Sequence, residues 1–113
     1  MAERELANFL KKHSFAVIRA AGSGGSISTP DLVAVKKGVV LAFEIKSWST
    51  KPRLRKEEFG MFKKWCELAG AIGFFVWRKG KNNWLFLDIK KYKNVDIQKN
   101  GMSLNELVSA FDV

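Results

Sequence analysis

Residues 30–46 read PDLVAVKKGVVLAFEIK, and the rest of the chain is interpreted outward from this segment. Two apolar, β-branched runs, residues 32–35 and 39–45, flank a Lys-Lys-Gly break. Such a pattern predicts a β-hairpin with a tight turn. The turn falls either at residues 37–38 or, shifted by one residue, at 36–37.

The register of this hairpin decides which side chain faces Asp31. A turn at residues 37–38 places Asp31 opposite Glu44, whereas a turn at residues 36–37 places it opposite Ala42. Opposed residues share one face of the sheet, with Cβ atoms roughly 4.5–5.5 Å apart. Lys46 lies two residues beyond Glu44 and points to the same face. The first register therefore gathers two carboxylates and one ammonium near the end of a strand.

Two adjacent carboxylates repel each other, and a divalent cation offsets the repulsion most directly. Mg²⁺ is usually held by one or two carboxylates together with water and substrate phosphate. With Lys46 beside the metal, Asp31 and Glu44 suit phosphodiester hydrolysis. The alternative is a surface hairpin with solvated charges. It is less favoured because Phe43 and Ile45 already form the apolar face of the strand, and the charges interrupt an otherwise apolar run.

Length and composition predict one folded domain over residues 1–113. The chain has 113 residues and is 47% apolar, enough for a single core. We find no apolar segment of ~20 residues and no signal peptide, so we expect no membrane association and a cytoplasmic protein. Cys66 is the lone cysteine, which excludes an internal disulfide and favours a small core residue in a reducing compartment.

The charge balance favours a polyanionic partner. Twenty Lys and Arg residues face eleven Asp and Glu residues, a net charge of +9, and such a domain binds nucleic acid with an affinity that falls with salt. Arg19, the Gly/Ser loop that contains Ser23, and the basic segment with Lys51, Arg53 and Arg55 are the candidate phosphate contacts. Trp48, in the same basic segment, either stacks on an unpaired base or packs at an interface or over the core.

Hydrophobic periodicity predicts the element order α-β-β-β-α-β-β-α. The first helix covers Ala2–Lys12, and Glu3 leans toward its buried face. As a first-turn residue, Glu3 either stabilises the helix dipole or joins the site near Asp31. A helix at residues 57–70 carries two apolar stripes, and the second stripe, Met61, Trp65 and Leu68, exceeds what one sheet can cover. It packs against a second subunit or, alternatively, against a C-terminal element, and a homodimer is favoured.

The literal Pro30-Asp31 and Glu44-Ile45-Lys46, thirteen residues apart, match the Pro-Asp…(Asp/Glu)-x-Lys signature of the restriction-endonuclease-like nuclease superfamily. The first helix with Glu3, the strand and Gly/Ser loop that follow it, and the chain length extend the match over nearly the whole sequence. End to end, the chain resembles the archaeal Holliday junction resolvases.

The resemblance implies an α/β fold, a mixed five-stranded sheet flanked by helices, and a Mg²⁺-dependent endonuclease that resolves four-way DNA junctions as a homodimer. Mn²⁺ is expected to substitute for Mg²⁺, and no small-molecule cofactor is expected. The resemblance also implies that Asp31, Glu44, the carbonyl of Ile45 and Glu3 form the metal and catalytic site with Lys46.

Family members usually carry a short basic segment before the first helix, whereas this chain opens almost directly on Glu3. Either that grip on DNA is lost, or Arg4, Lys51 and Arg53 replace it. Another branched-DNA or nicking nuclease of the same fold and a non-catalytic DNA-binding module are the alternative functions.

Overall fold

A computed structural model describes residues 2–20 and 29–112, and within these ranges the chain forms one mixed sheet with helices on both faces. In chain order the elements are α1 (Ala2–Lys12), β1 (Ala16–Arg19), β2 (Leu32–Lys36), β3 (Val39–Lys46), α2 (Lys56–Ala69), β4 (Ile72–Gly80), β5 (Asn83–Asp88), a 3₁₀ turn (Ile89–Lys91), α3 (Ile97–Asn100) and α4 (Leu104–Ala110). The predicted α/β class and five-stranded sheet are confirmed. None of these helices is long and apolar enough to cross a membrane.

The five strands lie in the sheet in the order in which they occur in the chain. Neighbouring strands are antiparallel except β3 and β4, which run parallel. A parallel pair needs a crossover connection, and α2 provides it. The crossover positions the N-terminus of α2 just after the loop that leaves the end of β3, where the predicted site lies.

The hairpin turn is at Lys37 and Gly38, as the first of the two predicted registers requires. Both residues have positive φ, 50° and 86°, as a two-residue type I′ turn demands. The ladder accordingly runs from the pair Lys36 and Val39 to the pair Leu32 and Phe43. Asp31 lies one residue before β2, so it stands beside the end of the ladder rather than forming a further pair in it.

The sheet separates two apolar clusters. The cluster on one side is covered by α1 and α4, and the cluster on the other side is covered by α2 and α3. Strand β4 contributes to both, through Phe74 and Val76 on one face and Phe75 and Trp77 on the other, all four at most 2% exposed. Strand β4 is therefore covered on both faces, which is why its sequence is a near-continuous apolar run.

The C-terminal helix α4 begins with a capping box formed by Ser103 and Glu106. The N–H of Glu106 donates to the hydroxyl of Ser103, and the N–H of Ser103 donates to the carboxylate of Glu106. Sequence periodicity missed α3, because four residues are too few for a helical pattern; Asp96 caps it by accepting from the N–H of Gln98 at 3.0 Å.

Cys66 is a core residue, as predicted. It is 4% exposed on the buried face of α2. Burial raises the pKa of its thiol to about 11, so the thiol stays protonated at neutral pH.

Candidate active site

The predicted acidic residues converge where β2 begins and β3 ends. Asp31 precedes β2, and Glu44, Ile45 and Lys46 are the last three residues of β3. The carboxylate of Asp31 accepts a hydrogen bond of 2.8 Å from the N–H of Ile45. The backbone of Asp31 donates to Phe43 at 3.0 Å and accepts from Ala20 at 3.1 Å. These three bonds hold Asp31 in place, since side chain and backbone are both engaged.

The two carboxyls of the site resist ionisation in the metal-free protein. Burial, followed by repulsion from Asp31, raises the pKa of Glu44 to about 8, and attraction to Lys46 only partly opposes this. Burial is also the largest cause that raises the pKa of Asp31; the hydrogen bond from Ile45 opposes it, and repulsion from Glu3 adds to it. A site that penalises its own negative charge is one that a cation stabilises.

Glu3 belongs to this electrostatic cluster. It lies in the first turn of α1, half-buried, and its carboxylate is close enough to Asp31 to raise the pKa of that residue. Glu5, two residues on, instead forms a salt bridge with Arg78, in which Nη2 lies 2.9 Å from each carboxylate oxygen. Of the two glutamates in the first turn of α1, Glu3 is thus the one whose charge acts on the pKa of Asp31.

Lys46 is held by Glu58, a residue that the sequence reasoning missed. Nζ of Lys46 lies 3.0 Å from the carboxylate of Glu58, which also accepts from the N–H of Arg55 at 2.9 Å and lies 3.2 Å from Nε of Arg55. Burial opposes ionisation of Glu58, but the bond from the Arg55 backbone and the contacts with Lys46 together bring its pKa below the ordinary value.

Glu58 could have been found from the helical pattern. It lies four and eight residues before Phe62 and Cys66, the other two buried residues of α2, and is itself 8% exposed. An acidic residue on a buried helical stripe is rarely left without a cationic partner.

The donor set fits a hard divalent cation with open positions. Within residues 2–20 and 29–112, no three His, Cys, Asp or Glu side chains form a ready-made metal cage. The available ligands are the two carboxyls of Asp31 and Glu44, both with raised pKa. Mg²⁺ is commonly held by one or two carboxylates, with water and substrate phosphate completing the shell. The residues present therefore fit such an ion.

The residues predicted to contact DNA differ in exposure and in the side chains that they contact. Arg4, Arg19 and Arg53 are exposed. Arg55 precedes α2 and contacts Glu58, whereas Lys51 pairs with Asp96 at 3.2 Å. Ser23 lies outside the described residues.

The outer stripe of α2 is exposed. Leu68 is 80% and Met61 is 44% exposed, while Trp65 is half-buried. The alternative of a C-terminal cover is wrong for the described chain, because Leu68 and Met61 stay exposed although α3 packs on the same side of the sheet, and Leu107 of α4 packs on the opposite side. Trp65 borders two clefts, of about 210 Å³ with Met61 and Leu68 and of about 340 Å³ with residues of the β1–β2 edge.

Comparison with known proteins agrees with the fold and identifies the family. The chain is 46% identical over 70 residues to the crossover junction endodeoxyribonuclease Hjc of Methanocaldococcus jannaschii, an alignment that covers 61% of this chain and 50% of that protein. It is 30% identical over 119 residues to the enzyme of the same name from Sulfolobus acidocaldarius, covering 94% and 82%. This chain thus spans half the length of the first of these two relatives.

The fold itself matches a solved resolvase. The structure of Archaeoglobus fulgidus Hjc, a Holliday junction resolvase from an archaeal hyperthermophile, superimposes with a TM-score of 0.77 at 25% identity, over 94% of this chain and 96% of that one. Nucleases of the restriction-endonuclease fold are generally metal-dependent. The sequence model of the archaeal Holliday junction resolvase (Hjc) family matches residues 1–112. Because this match covers nearly the whole chain, the chain belongs to the archaeal Holliday junction resolvase family.

Proposed function

We propose that this chain is a Mg²⁺-dependent endonuclease that cuts four-way DNA junctions, with Mn²⁺ able to replace Mg²⁺. The observation that carries the proposal is the pair of partly buried carboxyls, Asp31 and Glu44, both with raised pKa, beside the ammonium of Lys46. Such a pair needs a cation and suits phosphodiester hydrolysis. The relatives named as crossover junction endodeoxyribonucleases support junction DNA as the substrate.

Asp31 and Glu44 would hold the metal, together with the backbone carbonyl of Ile45, and Glu3 would contact it directly or through water. When bound, the metal lowers the pKa of a coordinated water and neutralises charge on the phosphate. Lys46 either orients the attacking water or stabilises the negative charge that develops as one P–O bond forms and another breaks.

Glu58 would act on the reaction through Lys46. Its carboxylate lies 3.0 Å from Nζ and is itself fixed by Arg55. An ammonium held at one position is preorganised for the transition state and needs no reorganisation when the charge develops. Glu58 is therefore a positioning residue in this proposal.

DNA would be bound by the exposed cations that surround the site. With a net charge of +9, phosphate neutralisation and counterion release dominate the affinity. The contacts proposed are Arg4, Arg19, Ser23, Lys51, Arg53 and Arg55.

A second copy of the chain would cover the outer stripe of α2. Leu68, Met61 and Trp65 form an apolar face that continues into the cleft beside the β1–β2 edge, where Ile18 is 67% exposed. A monomer rarely leaves such a face uncovered. A two-fold dimer would also bring two sites to one junction, so that two strands are nicked as a pair.

The mass of the protein in solution tests the dimer. By light scattering, the wild type should weigh twice 12.8 kDa. Leu68→Lys should shift it toward 12.8 kDa, because a charge is placed in the apolar face. Glu67→Gln raises the net charge by the same amount on the neighbouring, exposed position and should leave the dimer intact. A wild type that is monomeric at every concentration would remove the dimer from the proposal.

Cleavage of a labelled four-way junction beside a linear duplex of matched sequence tests the activity. Asp31→Asn is the variant of choice, because the amide oxygen can still accept from the N–H of Ile45. Paired nicks near the branch point that need Mg²⁺ or Mn²⁺ and vanish in Asp31→Asn are expected. Equal cutting of both substrates would favour another nuclease of the same fold. Tight binding without cutting in any divalent metal would favour a non-catalytic DNA-binding module.

We further propose that residues 1–113 act as a single nuclease domain in the cytoplasm, of an archaeal cell or of a host cell if the gene is viral, and need no small-molecule cofactor. The buried, protonated thiol of Cys66 is compatible with a reducing compartment.

A further inference from the structure

The loop that leaves β3 presents an aromatic face among basic side chains. Trp48 is 44% exposed and borders a cleft of about 490 Å³ whose other lining residues are Arg53, Leu54, Arg55 and Lys56. The chemistry of this cleft, one ring and three positive charges, suits a ligand that is both aromatic and anionic.

The cleft is built on anchored backbone. The carbonyl of Trp48 accepts a hydrogen bond of 2.9 Å from Nε1 of Trp77, which is 2% exposed. At the other end, the N–H of Leu54 donates to the hydroxyl of Tyr92 at 2.7 Å, and Leu54 is 7% exposed. Both anchors use backbone atoms of the loop, so the indole of Trp48 contributes to neither, and part of the ring surface remains exposed beside its contact with Lys46. A fixed platform also loses little conformational entropy on binding.

The cleft adjoins the proposed site of hydrolysis. Nζ of Lys46 lies 5.6 Å from the ring centroid of Trp48. Arg55, which also lines the cleft, lies 3.2 Å from the carboxylate of Glu58, which holds the same Lys46. A nucleotide whose phosphate lay near Lys46 would therefore place its base, or that of its neighbour, beside Trp48.

We propose that this cleft binds a nucleobase next to the cut phosphate, with Trp48 stacking on its exposed face and Arg53 and Lys56 holding the adjoining phosphate. The proposal rests on the proposed function. Within a continuous duplex, neighbouring bases cover both faces of each base, whereas a branch point or an unpaired base leaves a face open. The cleft would thereby help the protein to select branched over linear DNA, since base–aromatic stacking tolerates any sequence.

The test measures binding of DNA in EDTA, where the proposed metal-dependent cutting is absent. The probes are a four-way junction with 2-aminopurine at the branch point, a duplex with one bulged 2-aminopurine, and the matched fully paired duplex. The variants are Trp48→Ala, which removes the ring, Trp48→Phe, which keeps an aromatic face, and Trp48→Leu, which keeps only apolar area. None of them touches the two backbone anchors, and thermal melting of each variant checks that the fold is kept.

If Trp48 stacks on a base, its replacement should lower the affinity for DNA with an open base face and not the affinity for the paired duplex. Trp48→Ala and Trp48→Leu should weaken binding of the junction and the bulged duplex about five- to 150-fold, as base–aromatic stacking contributes, and should leave the paired duplex unchanged. The quenching of 2-aminopurine by wild type should be lost in both variants and kept in Trp48→Phe.

A loss that is equal on all three probes, or no loss, would overturn the proposal. A slower cleavage rate without weaker binding would also overturn it, because Trp48 would then act only on Lys46. The bulged duplex separates this proposal from the proposed function: quenching there does not depend on junction cutting, and failure of wild type to cut the junction with Mg²⁺ would sink the nuclease proposal alone.

Discussion

Replacing Glu44 by glutamine should stabilise the metal-free protein at alkaline pH. Folding raises the pKa of Glu44 from 4.5 to about 8, first by burial and then by repulsion from Asp31. Between these two pH values the unfolded chain has released a proton that the folded chain still binds, so the free energy of unfolding falls as pH rises. The contribution of Glu44 to stability is thus fully present below about pH 4.5 and is lost by about pH 8.

The size of the effect follows from the shift. At 1.36 kcal/mol per pKa unit, ionised Glu44 lowers the free energy of unfolding by at most about 5 kcal/mol. Since the carboxyl of Glu44 is partly exposed, solvent screening reduces this to about 2 kcal/mol. For a domain of this length, that corresponds to roughly 8 °C in melting temperature.

Thermal melts in EDTA at about pH 5 and about pH 8.5 test this reasoning. Glu44→Gln should melt roughly 8 °C above wild type at the higher pH and close to wild type at the lower one. Glu67→Gln, which removes an exposed carboxylate, controls for the change in net charge. Adding Mg²⁺ at the higher pH should raise the melting temperature of wild type, because the cation then neutralises Asp31 and Glu44, and should raise that of Glu44→Gln far less.

A Glu44→Gln protein that melts no higher than wild type at about pH 8.5 in EDTA would refute the reasoning. The surroundings of Glu44 would then not disfavour its ionised carboxylate, and the site would not need a cation to offset its charge.

Three further substitutions test other parts of the structure. Glu58→Gln removes the charge that holds Lys46, so single-turnover junction cleavage should slow about tenfold while junction affinity in EDTA stays constant; a parallel drop in affinity would show a purely structural role. Gly73→Ala places a Cβ 2.6 Å from the sulfur of Cys66, and denaturant unfolding should show a free energy of unfolding lower by about 1–3 kcal/mol. An unchanged free energy of unfolding would mean that α2 can shift away from β4 without cost. Ser103→Ala removes the hydroxyl that caps α4 and should cost about 1 kcal/mol, measured in the same way; no loss would show that the cap contributes nothing.

The central hairpin could be predicted because the deciding interactions are local in sequence. Lys37 and Gly38 supply the positive φ angles of the turn, and the turn sets the register of the two strands. The period of two along β3 then places Glu44 and Lys46 on one face. The position of Asp31 was predicted only in part. Asp31 lies just before β2, and its carboxylate accepts a hydrogen bond from the N–H of Ile45 at the end of the ladder. The sequence pattern did not predict this bond, because the bond depends on the residue at which β2 begins.

The contacts between the hairpin and residues distant in sequence could be known only from the tertiary structure. Glu58 meets Lys46 because the parallel pairing of β3 and β4 requires a crossover, and the crossover brings the first turn of α2 over the end of β3. The exposure of Leu68 likewise follows from α4 packing on the opposite side of the sheet. Residue type and spacing therefore determined the chemistry of Asp31 and Glu44, whereas contacts between distant segments depend on how whole elements pack, which no local pattern encodes.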